Sequence, residues 1–168
     1  KIFGLVELSG PGATSGTNFD EGAKLAVKEI NAAGGILGRK IEYTSSDTQS
    51  QPQIAKALAQ QAVDQDAYVV LGPVFSGSIL VSMAETKRAE VPNFTGGEAA
   101  SITQQGNPYI FRISPTSEME AKAFAGYVKT LGIKKADFLA TNNDFGLGAS
   151  QEFSAMLKAN GAAIGEME

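Results

Sequence analysis

The chain contains no cysteine and no histidine. The first absence removes disulfides, cysteine nucleophiles and thiolate metal sites. The second removes the usual base near neutral pH and, with the first, most transition-metal sites. No apolar run approaches the length of a membrane span. Basic residues are not in excess: 14 Lys+Arg stand against 18 Asp+Glu, a net charge of -4, and no basic stripe appears. Nucleic acid is therefore not the expected partner. No signal peptide precedes the first apolar strand; a processed exported protein and a cytosolic one both read this way.

What is present is an alternation. The 168 residues, 43% of them apolar, suffice for a packed core. Ile2 to Leu8 reads as a buried strand. Residues 9–16 read as a loop, and from about Thr17 the positions Phe19, Ala23, Ala26, Val27 and Ile30 follow a helical period. Asn31 to Gly35 supplies the glycines of a helix end. Ile41 to Thr44 is the second expected strand. Ser50, Pro52 and Gln53 read as a helix start, with Ile54, Leu58, Ala62 and Val63 on one face. Tyr68 to Leu71 is the third strand, followed by a helix from about Ser76 that carries Ile79, Leu80, Met83 and Ala84. Val91 to Thr95 and Tyr109 to Ile113 are short strands. Ser114 to Ser117 breaks the pattern, and Ser117 to Glu120 reads as a capping box before a helix with Phe124, Tyr127, Val128 and Leu131 inward. Ala136 to Thr141, a loop over 142–148, a helix with Phe153, Met156 and Leu157 inward, and a strand from Ala162 complete the chain. The expected class is α/β, a parallel sheet with helices on both faces. Ligands of such sheets bind beyond the carboxyl ends of the strands, here the loops at 9–16, 47–50, 72–76 and 95–99. The last strand reads as the middle of a fold, so the chain is expected to be part of a longer protein.

One stretch stands out, Val69 to Leu80. It runs from a buried strand through Gly72-Pro73 into a helix that starts on Ser76, Gly77 and Ser78. Small residues there let a ligand approach the backbone, and the free amides at the positive end of the helix attract a carboxylate or a phosphate. The plainer alternative is that Ser76 caps its own helix. Gly96-Gly97 offers open backbone to an ammonium, or is an ordinary loop. Glu98 is a candidate ammonium partner, or a solvated loop acid. Phe145, apolar between Asp144 and Gly146, is a candidate lid contact, or packs under its own helix. Asp47 reads as a turn residue. Glu7 and Asp47 could face each other across strand ends, but a carboxylate pair alone is weak evidence for hydrolysis. A dinucleotide site fits poorly. Pro11 removes a backbone donor, three residues rather than two precede Gly16, and the expected acidic residue about twenty positions on is absent. No enzyme activity, metal or cofactor is expected. A ligand-sensing domain of a receptor is a further class on the same fold.

Four stretches carry a resemblance to a known family: Leu8 to Pro11, Gly22 to Lys40, Gly72 to Ser76 and Asn143 to Gly148. In these the chain resembles the periplasmic substrate-binding proteins of ABC transporters, of the branched-chain amino acid (Leu/Ile/Val) type. The resemblance implies two Rossmann-like lobes closing over a solute, with residues 1–115 the first lobe and 116–168 the start of the second. Ser114 to Ser117 would be one hinge crossing. It implies a periplasmic protein that hands a small solute to a membrane permease and does no chemistry. Ser76 matches the serine that binds the ligand carboxylate, with the neighbouring Gly77 and Ser78 amides. The loop through Gly97, Glu98 and Ala99 matches the one that holds carboxylate and ammonium, although Ala99 stands where a threonine is usual. Phe145 falls where the second lobe presents an aromatic, and Ser15 where several relatives carry tyrosine. Relatives with this pattern also take aromatic acids and amides, so the solute class stays open.

Overall fold

The computed structural model describes residues 1–168. The chain forms two compact units: Lys1–Gly97 with Ile102–Ile113, and Glu98–Ser101 with Ser114–Glu168.

The first unit is α/β, as expected. Its elements are β1 (Ile2–Val6), α1 (Ala13–Ala32), β2 (Tyr43–Asp47), α2 (Pro52–Asp64), β3 (Val69–Leu71), α3 (Ser76–Arg88), β4 (Asn93–Thr95) and β5 (Ile110–Arg112). The five strands are parallel, in the order β2-β1-β3-β4-β5. Right-handed crossovers send α1 to one face of the sheet and α2 and α3 to the other. The chain therefore leaves β1 in one direction and β3 in the other. The strand order switches between these two neighbours, and in such sheets the crevice that takes a ligand lies at the carboxyl ends beside the switch.

Phe3, Leu5 and Val70 form the core on the α2 side with Ala59, Ala62 and Ala67. The spine of α2 is Ala55, Ala59 and Ala62, all buried, while Ile54, Leu58 and Val63 flank it half-buried. Small residues let the helix lie close to the sheet, and the larger ones reach around it. In α3 the buried apolar residues are Ile79 and Met83; Ala84 faces solvent, and Ser78, Ser82 and Thr86 fill the inner face instead.

Several expectations shift. Helix α1 begins at Ala13, not Thr17, and absorbs the second half of the expected loop. Gly16 makes this possible: a Cβ there would lie 2.1 Å from the Glu7 carbonyl oxygen, so the first turns rest directly on the end of β1. The apolar stripe of α1 is only partly covered, with Ile30 38% exposed. Strand β2 lies two residues beyond its expected start, because Ile41 pairs through its backbone with the Asn31 side chain and not with β1. Ser50 does not cap α2. Gln51 holds that position, and the Ser50 hydroxyl instead donates to the Ser9 carbonyl at 2.7 Å and accepts from the Gly12 amide at 2.9 Å.

The second unit contains α4 (Ser117–Leu131), β6 (Lys135–Phe138), α5 (Asp144–Ala159) and β7 (Ala163–Met167), with β6 and β7 parallel. Its core is Val128, Leu157 and Ala162, backed by Ile133, Ala136, Phe138, Met156 and Ile164. Phe124, Tyr127 and Leu131, expected inward, are 53%, 59% and 53% exposed. Two strands are too narrow to cover so wide a stripe, and Phe124 packs instead edge-on against Tyr127 and Phe153. The cap of α4 is Thr116, whose hydroxyl accepts from the Met119 amide at 3.1 Å; Ser117 is already helical.

Candidate functional site

The crevice at the carboxyl ends of β1 and β3 is lined by the loops that follow them. The loop after β3 runs Gly72 to Phe75 and is held from two strands. The Asn93 side-chain amide donates to the Gly72 carbonyl at 2.6 Å, and the Thr95 hydroxyl to the Pro73 carbonyl at 2.7 Å. From the other side the Glu7 carboxylate accepts from the amides of Val74 and Phe75, at 3.1 and 3.0 Å. Gly72 has φ +83, and a Cβ on it would meet the Leu5 carbonyl oxygen at 2.1 Å, so only glycine makes this turn.

This loop delivers α3 into the crevice. Phe75, in extended conformation, is the N-cap, and it offers no side-chain cap bond. Ser76 is thus the first helical residue and does not cap its own helix. It is 3% exposed. The first turn of α3 itself holds no acidic residue, and Lys87 and Arg88 close the last, as the helix dipole favours; the nearby acid is Glu7, bound to the two amides just before the helix. The Ser78 hydroxyl is buried and has no hydrogen-bond partner; what Ser78 can offer an anion is its amide.

Gly97 comes to the same place from the end of β4. A Cβ there would sit 2.3 Å from Ile79 Cδ1 and 3.2 Å from Ser76 Oγ. A side chain is excluded by packing, and the Gly97 backbone is brought beside the Ser76 hydroxyl. The sequence reading missed Arg112. Its guanidinium, on β5, donates to the Gly97 carbonyl and, at 3.2 Å, to the Thr103 hydroxyl. Being on a strand rather than in a loop, Arg112 gave no local signal of its part here.

The other candidates scatter. Ser15 is exposed in the first turn of α1. Glu98 and Ala99 belong to the second unit by compactness; Ala99 is 3% exposed, and the Glu98 carbonyl accepts from the Ser117 amide at 3.2 Å. Phe145 lies not in a loop but in the first turn of α5, 42% exposed, because Asn143 caps that helix by accepting from the Gly146 amide at 2.9 Å. Asp47, expected as a turn residue, is the last residue of β2, paired with Val6, and its side chain ties down the chain on either side. It accepts from the amides of Leu8, Ser9 and Gln49 and from the Ser9 hydroxyl. Burial pushes its carboxyl up, but these bonds outweigh that and hold it below the usual 3.8. Glu7 goes the other way: burial, opposed by the loop amides and aided by Asp47, raises it above 4.5. A groove of ≈ 550 Å³ lies at the opposite ends of β3 and β4, between Tyr68, Pro92 and the stacked rings of Phe94 and Phe111, away from Ser76.

Residues 1–167 match the family model described as periplasmic binding protein. The chain belongs to the periplasmic binding protein family. It is 30% identical over 159 residues to a Leu/Ile/Val-binding protein of Rhizobium johnstonii, a match spanning 94% of this chain and 43% of that one. Among solved structures, it is similar to the branched-chain amino acid transporter substrate-binding protein of Streptococcus pneumoniae in complex with isoleucine. There the TM-score is 0.89 and the identity 31%, over 99% of this chain and 49% of that one. It is also similar to a solute-binding protein of an ABC transporter from Rhodopseudomonas palustris in complex with 3,4-dihydroxybenzoic acid, at TM-score 0.90 and 26% identity, over 99% and 46%. The periplasmic binding protein chains it matches are thus about twice as long as the stretch it shares with them. Membership in this family implies an extracytoplasmic location.

Proposed function

We propose that this chain carries one solute-binding lobe and the start of a second from a periplasmic component of an ABC importer. The protein would bind a small carboxylate-bearing solute, pass it to a membrane permease and carry out no reaction. The observation behind this is the convergence of Ser76 and Gly97 at the positive end of α3, in the crevice where the strand order switches. A carboxylate placed there meets a hydroxyl and the Gly77 and Ser78 amides in a site with little water, where bonds to charge are strong. The first choice of solute is a branched-chain or other apolar amino acid.

A specific observation favours a second solute class. Arg112 already donates to the Gly97 carbonyl. Its positive charge opposes an ammonium beside that carbonyl and leaves a carboxylate welcome, so aromatic acids without nitrogen are the alternative. A thermal-shift panel on the whole protein separates the two. A true solute at a hundred times its Kd adds about 2.7 kcal/mol of stability. Branched-chain amino acids should raise Tm; a rise with hydroxybenzoates alone would select the second class. Ser76→Ala should weaken whichever solute binds by about 1–3 kcal/mol. An unchanged Kd in that variant would remove Ser76 as the anchor.

A further inference from the structure

Glu7 is an odd residue to find where it is. It is fully buried at the end of β1. Its carboxylate oxygens accept from the amides of Val74 and Phe75, the last two residues before α3. Phe75 is the N-cap of α3, and its carbonyl accepts the Ile79 amide at 3.0 Å. Glu7 is therefore joined through one residue to the first turn that presents Ser76. It spans the switch point itself, from the strand on one side to the loop on the other.

The fold leaves Glu7 no freedom. Gly16 of α1 lies flush on its backbone, and a Cβ at Gly12 would be 2.9 Å from the Glu7 Cβ and 2.8 Å from the Phe75 ring. An apolar side chain would fill the same space, but it would leave two part-buried amides without acceptors. We infer that Glu7 is the positioning residue of the solute site: it holds the 72–75 loop, and so the amino end of α3, only while its carboxylate is ionised. This rests on the solute reading above and extends it to regulation, because a solute held at Ser76 is then released on acidification.

The charge environment supports the direction. From α1 Glu7 meets Gly12 and Gly16, which carry no charge; from the 72–75 loop it meets amides; from β2 it feels the negative Asp47. Burial raises its pKa above 4.5, the loop amides oppose this, and Asp47 adds to it. Protonation turns one of its two acceptor oxygens into a donor. One of the two loop amides then loses its partner.

The test uses the whole protein labelled with ¹⁵N at valine and phenylalanine, and L-leucine as the probe. Without solute, the Val74 and Phe75 amides should titrate together, with a midpoint above 4.5, and this titration should vanish in Glu7→Gln. With solute, the wild-type Kd should weaken as pH is lowered through the midpoint of that amide titration, while that of Glu7→Gln stays flat. Ser76→Ala should bind more weakly at every pH and keep the wild-type slope. Amides that do not move with pH, or a Glu7→Gln protein that keeps the pH slope, would overturn the proposal. Failure of L-leucine to bind would count against the amino-acid reading alone, since the amide titration decides the role of Glu7 without any solute.

Discussion

Asp20 is a charged residue that no feature of the sequence marks as buried; it sits on α1 between Phe19 and Glu21. In the structure it is 1% exposed, accepts from the Tyr43 hydroxyl at 2.7 Å and pairs with Lys24 at 2.7 Å. Burial raises its carboxyl, but the bonds from Lys24, Tyr43 and Ser45 outweigh burial and hold it below 3.8. Gly4 makes the arrangement possible from the neighbouring strand, because a Cβ there would lie 2.2 Å from the Tyr43 oxygen. Tyr43→Phe removes a bond to a buried charge and should lower stability by about 1.5–3 kcal/mol in urea melts. Lys24 is half exposed, so Lys24→Met should cost less and lose its effect in high salt. If the two variants cost the same, Tyr43 is not the principal partner.

At the scale of elements, the order of strands and helices was legible because β-branched runs, glycine stops and helical periods alternate with little ambiguity. The loops at the carboxyl edge were legible too, since the alternation of strands and helices in a parallel sheet fixes where they fall. What was not legible is which polar residue serves which end. Ser50 and Ser117 both read as caps by type and spacing. The structure gives Ser50 to the loop after β1, and it moves the cap of α4 one residue back to Thr116. Caps are decided by which residue keeps an extended backbone, and one residue of slippage leaves the sequence pattern almost unchanged. The inward faces of α1 and α4 failed for another reason: periodicity reports a stripe but not whether a sheet is wide enough to cover it. The caps can be checked directly. Thr116→Ala should destabilise by about 0.5–2 kcal/mol. Ser117 is buried with its hydroxyl unpartnered, so Ser117→Ala should be neutral or mildly stabilising. The reverse ranking in thermal melts would restore Ser117 as the cap.

For the whole molecule, three carboxylates set opposed pH windows. Asp20 and Asp47 have folded pKa values below 3.8. Their contribution is complete above 3.8 and is lost as pH falls through the lowered folded values. Glu7 has the opposite sign. Its folded pKa lies above 4.5. Between 4.5 and that value the folded chain holds a proton that the unfolded chain has released, so acidification through this window adds stability. The same proton takes an acceptor away from the loop before α3. Fold stability and solute affinity should therefore move in opposite directions across one titration. Measured as differences from Glu7→Gln, so that other groups cancel, the wild-type Tm should rise as pH is lowered toward 4.5 while its affinity for L-leucine falls. A Glu7 that only supported the fold would give the first change without the second. If Tm and affinity fell together, acid would be loosening the sheet as a whole, and the link from Glu7 through Phe75 to Ser76 would not be the cause.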